Sequence, residues 1–423
     1  MVVTKVMFGW IVNALRVPEL RRRLLFTAGV LAVYRLGSWM PAPGIDPHGV
    51  SQFLNANGST ILGLLNLLSG SSLSRLSLFA LGIVPYVTAS IMIQVLTAVV
   101  PSLERLQKEG EAGYARINQY TRYATVVFAA AQATGYTYLF QHEGAVHLNP
   151  GRFVIVVATL TGGMALLMWL GEQISKRGVG NGISILIFAS ILASAPIGIR
   201  GWLNGPAVER ILFPVAALAV LVAVVFVQEG QRKLPIQYAK RTMGGRTLGG
   251  GSTYMPLRVN MAGVVPVIFA AALLAFPPTI AGFLPQTSSF VNRYIQPATL
   301  PYLSVEALLI IVFAFFYTAI QFNPVDQADN LRKHGGYVPG IRPGPPTAAY
   351  FDRVLTRLTL PGAAFLALVA VVPCIFIHYG GFSQATSRAL GGTSVLIVVG
   401  VALDTLRQME SQLVTRHYEG FLK

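Results

Sequence analysis

Residues 76–100 read LSLFALGIVPYVTASIMIQVLTAVV, a run with no charged side chain, broken only by Gly82 and Pro85. A bilayer-spanning helix needs about 20 mostly apolar residues, and this run exceeds that length. Nine more runs of the same kind lie on either side of it, at 24–40, 123–140, 153–171, 182–199, 211–227, 261–284, 303–322, 360–379 and 391–405. Mean hydropathy is +0.59 and charged residues make up 11% of the chain, an apolar excess that no soluble core explains. The expected fold is an all-α polytopic membrane protein with ten transmembrane helices.

Charge sets the orientation. Of the 32 Lys and Arg residues, all but Arg35, Arg75, Arg152, Arg200, Arg210, Arg293 and Arg388 fall in segments 1–23, 101–122, 172–181, 228–260, 323–359 and 406–423. Ten spans put these segments on one side, and the excess of basic residues makes that side cytosolic, with both termini on it. The net charge of +16 is therefore accounted for by topology rather than by base-reading contact with nucleic acid, although basic loops also suit the phosphates of a ribosome surface. Residues 1–23 are basic and lack a cleavage-site pattern, so the first apolar run is expected to be a retained helix. A single cysteine, Cys374, rules out an internal disulfide and makes a cysteine-based metal site untenable.

Two cytosolic loops, 228–260 and 323–359, are long and rich in Gly, Pro and basic residues, as in QRKLPIQYAKRTMGGRTLGGGS (231–252) and NLRKHGGYVPGIRPGPP (330–346). They suit either a solvated determinant of topology or protruding hairpins that dock onto a partner. On the other side, residues 57–75 (NGSTILGLLNLLSGSSLSR) hold an apolar core, Ile61 to Leu68, too short to span. That segment is open to two readings, a re-entrant element surrounded by protein or an interfacial amphipathic helix. A short internal repeat links Gly82-Ile83-Val84-Pro85 to Gly263-Val264-Val265-Pro266. Each lies in the second helix of a five-helix half, and an odd number of spans per half makes the halves inverted. Paired Gly/Pro interruptions in corresponding helices point to a pathway between the halves.

The chemistry of other membrane machines is missing. Arg35, Glu172, Glu306 and Asp404 lie at span ends, so no ionisable residue marks a midplane proton or ion path. Ser184 sits in a suggestive Gly-Ile-Ser setting, but no histidine lies at its depth to serve as a base. GGRTLGGG (244–251) lacks the Lys-Ser/Thr ending of a phosphate-binding loop. Aliphatic side chains mark the pathway instead. Ile83 and Val87 share a helix face, Ile183 and Ile187 share another, and Ile268 follows the second Gly/Pro motif. Each taken singly suits packing or lipid contact; together they suit an apolar constriction that blocks ions by dewetting and tolerates cargo of mixed character.

Seven strings carry a resemblance over essentially the whole chain. They are ALGIVPYVTASIMIQ (80–94), INQYTRY (117–123), MWLGEQISKRGVGNGISI (168–185), LRVNMAGVVPVIF (257–269), FNPVDQADNLRKHGGYVPGIRPG (322–344), RLTLPGA (357–363) and GGTSVLIVV (391–399). In sequence, order and spacing they resemble the SecY family, the pore subunits of the bacterial protein-translocation channel. The resemblance implies an hourglass channel of two inverted halves, residues 1–200 and 201–423, that passes unfolded secretory polypeptides and releases membrane helices sideways into the cytoplasmic membrane. It implies no catalysis and no cofactor. By position, the pore ring is Ile83, Val87, Ile183, Ile187, Ile268 and Ile397. The plug spans about 60–74, with Ile61, Leu62, Leu64, Leu65, Asn66, Leu67 and Leu68. The second, third, seventh and eighth spans correspond to a lateral gate, and Gln94 and Asn260 to its polar cluster. Arg342, Arg246, Lys240 and Arg241 correspond to the docking surface for the SecA motor and the ribosome. The implied partners are SecE and SecG subunits, the SecA ATPase, the ribosome, signal-sequence-bearing polypeptides and membrane lipid. Two positions depart from the family pattern. Val87 stands where Ile is often found, and Gly245-Arg246 stands where a basic pair is expected.

Overall fold

The computed structural model describes residues 17–56, 66, 69–142, 144–238, 241–243, 246–248, 252–274, 277, 299–380 and 392–421. A helix lies on each of the ten apolar runs: α1 (Pro18–Gly37), α3 (Val84–Val99), α5 (Glu111–His142), α6 (Pro150–Arg177), α7 (Gly182–Asn204), α8 (Ala207–Glu229), α9 (Val265–Leu274), α10 (Leu300–Gln321), α12 (Pro345–Gly380) and α13 (Gly392–Phe421). Shorter helices α2 (Pro47–Ala56), α4 (Pro101–Lys108) and α11 (Pro324–Lys333) fill connections. Among the described residues five helical units, α6, α7, α8, α10 with α11, and α12, are long and apolar enough to cross a membrane, and α3 with α4 makes a sixth such unit, bent by 97°. Proline in the first turn starts α1, α3, α4, α6, α10 and α11, where a missing N–H costs nothing and φ is already helical. Buried threonines inside the spans, such as Thr88, Thr125 and Thr318, donate to the carbonyl four residues back and leave no hydroxyl unpaired.

The second run departs from expectation. Its helix begins at Val84, not near residue 76, and residues 76–83 are a succession of turns following a 3₁₀ turn at Leu73–Arg75. The seventh behaves alike, with its helix beginning at Val265 rather than near 261. The Gly-x-x-Pro motifs therefore open helices and do not kink them, because proline is tolerated in a first turn and not in an interior.

The long loops are folded. Strand β1 (Gln231–Tyr238) pairs antiparallel with β4 (Ser252–Arg258) and with β5 (Gly336–Tyr337), giving the sheet order β4-β1-β5; β2 (Arg241–Met243) and β3 (Arg246–Leu248) form a hairpin between β1 and β4. Leu234, Ile236 and Leu257 pack with Phe322, Leu331 and Phe351 in a small core of their own. A purely solvated determinant of topology would need no such core.

The six segments with the basic excess are joined to one another. Leu20 and Val179 form a buried pair against which Val17 and Met409 pack. Arg122 pairs with Glu172, β1 pairs with β5, and Arg407 pairs with Glu229. The opposite ends are likewise joined, by the Pro41–Ser77 bridge and by Arg35 and Arg75 on the Trp39 ring. One large apolar cluster between these layers takes in residues of α1, α3 and α5 to α10, and of α12 and α13. Within it α3 packs on α5, α9 on α10, and α3 on α9; α7 packs on α13.

Candidate functional site

The two Gly-x-x-Pro motifs build matching helix starts. Gly82 and Gly263 take φ of +59° and +63°, a left-handed conformation that glycine adopts without steric cost. Three residues on, Pro85 and Pro266 each occupy the second position of their helix. The Asn260 side chain holds the second start together, donating from Nδ2 to the Gly263 carbonyl at 3.0 Å. A third helix start joins them. Asn181 caps α7, its Oδ1 accepting from the Ile183 backbone N–H at 3.1 Å. Gly182 lets α7 meet α6 there, since a Cβ at that position would stand 1.8 Å from the Gly171 carbonyl oxygen.

These starts surround two cavities on the basic side. One, of about 380 Å³, has Val87, Ile183, Ile187 and Ile268 among its apolar lining and Gln94, Asn118, Arg122 and Glu172 among its polar lining. The other, of about 400 Å³, is lined by Arg258, Asn260, Asp404, Arg407 and neighbours. Asn181, Ser184, Val265 and Tyr317 line both, so the cavities adjoin. The first cavity thus sets polar and charged side chains beside aliphatic ones. Ile83, Val87, Ile187 and Ile397 are buried in the main apolar cluster, and Ile183 and Ile268 are half-buried against it. Ile83 and Ile397 line neither cavity.

The polar positions separate. Gln94 lines the first cavity and donates to Ser90 Oγ at 3.0 Å, while its buried Oε1 has no partner among the described residues. Asn260 lines the second cavity. Arg342 is exposed, in a turn where Gly340 and Gly344 have φ of +82° and +106° and where the Arg342 carbonyl accepts from Thr347 Oγ1 at 2.8 Å. Arg241 and Arg246 lie in the β2–β3 hairpin, Arg246 opposite Met243. Lys240 and the plug positions Ile61, Leu62, Leu64, Leu65, Leu67 and Leu68 lie outside the described residues. Asn66 is described: its Oδ1 accepts from the Ser74 backbone N–H at 2.9 Å.

Long-range ion pairs made by the cavity-lining arginines escape sequence reading. Arg122 grips Glu172 with both forks, Nε to Oε1 at 2.6 Å and Nη2 to Oε2 at 2.5 Å, tying α5 to α6. Arg407 bonds Glu229 Oε1 at 2.6 Å and the Gln228 carbonyl at 3.1 Å, tying α13 to the end of α8. Their partners are 50 and 178 residues apart, so no local pattern announces them. The one sequence signal is that Glu172 and Asp404, the latter 3.7 Å from Arg407 Nη1, are carboxylates at the basic ends of spans. Tyr317, which lines both cavities and packs edge-on against Phe269, carried no signal.

The family model described as SecY matches residues 77–406. A protein named protein translocase subunit SecY from Mycobacterium tuberculosis strain H37Rv is 43% identical over 441 residues, covering 99% of this chain and 100% of the relative. Its namesake from Streptomyces coelicolor is 45% identical over 433 residues, covering 97% and 99%. Among solved structures, a protein-conducting channel is similar with a TM-score of 0.67 at 19% identity, covering 93% of each chain. Sec61 in the canine ribosome–channel complex from the endoplasmic reticulum is similar with a TM-score of 0.64 at 20% identity, again covering 93% of each. At these identities the structural likeness speaks to the fold.

Proposed function

This chain belongs to the SecY family, and on that premise we propose that it is a passive channel for unfolded polypeptides in a bacterial cytoplasmic membrane. The observation that carries the reading is the pair of adjoining cavities on the basic side, with polar and charged side chains in the walls of both and Val87, Ile183, Ile187 and Ile268 in the wall of the first, beside the repeated helix starts. A polar funnel admits a hydrated chain. An aliphatic neck without charge excludes ions by dewetting, yet offers a passing side chain no contact strong enough to hold it. Ile83 and Ile397 complete the ring in this reading. Residues 60–74 act as the plug, and α3, α5, α9 and α10 form the lateral gate, with Gln94 and Asn260 in its polar cluster. Residues 1–200 and 201–423 are its two halves.

Nothing in the neck supplies energy, so the work comes from a motor or from synthesis. The folded loops on the basic side, with Arg342, Arg246, Lys240 and Arg241, are the docking surface for SecA and for the ribosome. SecE and SecG are the accessory subunits, and both termini are cytosolic. Conductance tests the neck. Ile187→Ser should raise resting ion conductance of the reconstituted channel in planar bilayers, because a hydroxyl wets the constriction. Unchanged conductance would mean that Ile187 only packs.

A further inference from the structure

On the face away from the basic loops, two arginines share one indole. The guanidinium carbons of Arg35 and Arg75 lie 5.6 and 5.1 Å from the centre of the Trp39 ring. Arg35 also donates to the Gly70 carbonyl at 3.2 Å. Arg75 is exposed, and among the described residues its guanidinium has no hydrogen bond or ion pair. Each arginine gains from the ring's negative face, but two like charges brought to one ring repel each other. An anion between them would turn that repulsion into attraction.

Among the described residues no carboxylate pairs with either guanidinium. The carboxylates on this side are Asp46, Glu143, Glu209 and Glu306. Glu209 and Glu306 are buried, Asp46 accepts from the His48 backbone N–H within its own turn, and Glu143 lies outside the described residues. Segments 57–68, 278–298 and 381–391 contain no Asp or Glu. Trp39 itself is 59% exposed and lies just past the end of α1, at the outer end of an exposed apolar stripe through Leu25, Val33 and Leu36. An apolar stripe on a membrane helix that ends in an exposed tryptophan marks the level where acyl chains give way to headgroups. Phosphate is the anion that lives at that level, and guanidinium forks match its oxygens in pairs.

We propose that Arg35, Arg75 and Trp39 form a binding site for the phosphate of an anionic phospholipid in the leaflet opposite the basic loops. The lipid would seat its acyl chains along the stripe of α1 and its phosphate between the two guanidiniums. It would thereby fasten the turn at 70–75 to the end of α1.

The test uses the purified full chain with Trp10, Trp169 and Trp202 changed to Phe, so that emission reports Trp39 alone. Titration with phosphatidylglycerol in micelles should change that emission saturably. Arg75→Gln should raise the half-saturating concentration about tenfold, the loss of one charge-assisted pair, while Arg75→Lys should lose less. Equal elution and equal far-ultraviolet circular dichroism of these variants before lipid is added show that the fold is intact. An equal response in Arg75→Gln would overturn the proposal, as would no response to phosphatidylglycerol. Saturation by inorganic phosphate at the same concentrations would assign the site to a free anion and overturn the lipid. Protection of Trp39 from lipid by a co-purifying subunit would overturn it too. Should the three-fold Phe variant not fold, native mass spectrometry of the wild-type chain and Arg75→Gln decides: one tightly held phosphatidylglycerol is lost, or none is.

Discussion

Arg342 shows how a single side chain separates docking from topology. Pro343 restricts the backbone, while Gly340 and Gly344 supply the positive φ that turns the chain on either side. The guanidinium is thereby held outward on an exposed turn whose base is fixed by Thr347. Were Arg342 one more charge among Arg332, Lys333, Arg353 and Arg357, replacing it would change little. As a docking contact it behaves otherwise. Arg342→Glu should leave insertion and abundance intact and strongly impair motor-driven translocation. Arg342→Lys should impair it partly, because charge survives and the two-pronged geometry does not. Membrane-vesicle uptake assays beside an immunoblot of the channel measure both, and normal uptake by the Glu variant would remove Arg342 from the docking surface. Residues of this kind are legible in sequence because the turn chemistry is local. Arg122 and Glu172 are not: a bidentate pair between two helices depends on how α5 and α6 are rotated against each other, and nothing near either residue records that.

At the scale of elements, the halves of the chain touch beside the cavities at two seams, α3 on α9 and α7 on α13. In the proposed gate, a hydrophobic segment leaving the channel sideways parts α3 from α9. One cysteine placed within 84–92 and another within 268–274, in a Cys374→Ser background, should block insertion of a signal-bearing precursor when oxidised and restore it when reduced. Full transport with the bridge quantitatively formed would sink the gate. The sequence located these helices well, since each apolar run carries one, but it misplaced where two of them begin. Hydropathy counts Leu76–Ile83 as part of a span, whereas the backbone there turns around Gly82, a matter of φ and not of polarity. The sheet of the long loops was invisible for another reason. Its β1–β5 pairing joins Gln237 to Tyr337, and such non-local pairing leaves no period in either segment.

For the molecule as a whole, sidedness organises everything else. The basic segments are joined to each other by the Arg122–Glu172 and Arg407–Glu229 pairs, the β1–β5 pairing and the Leu20–Val179 contact. Arg122 and Glu172 line the first cavity and Arg407 the second, and the wall of the first also holds Val87, Ile183, Ile187 and Ile268. That sidedness suits the proposed conduit for unfolded chains, in which the driving force would come from a partner on the basic side. The most direct measurement is uptake of a secretory precursor into liposomes containing this chain and a SecE-type subunit, with the SecA motor and ATP added outside. The account predicts protease-protected precursor that depends on the chain, on ATP and on an active motor, and none when the motor cannot hydrolyse ATP. Protected precursor in liposomes that lack this chain, or none when every component is present and the motor is active, would contradict it.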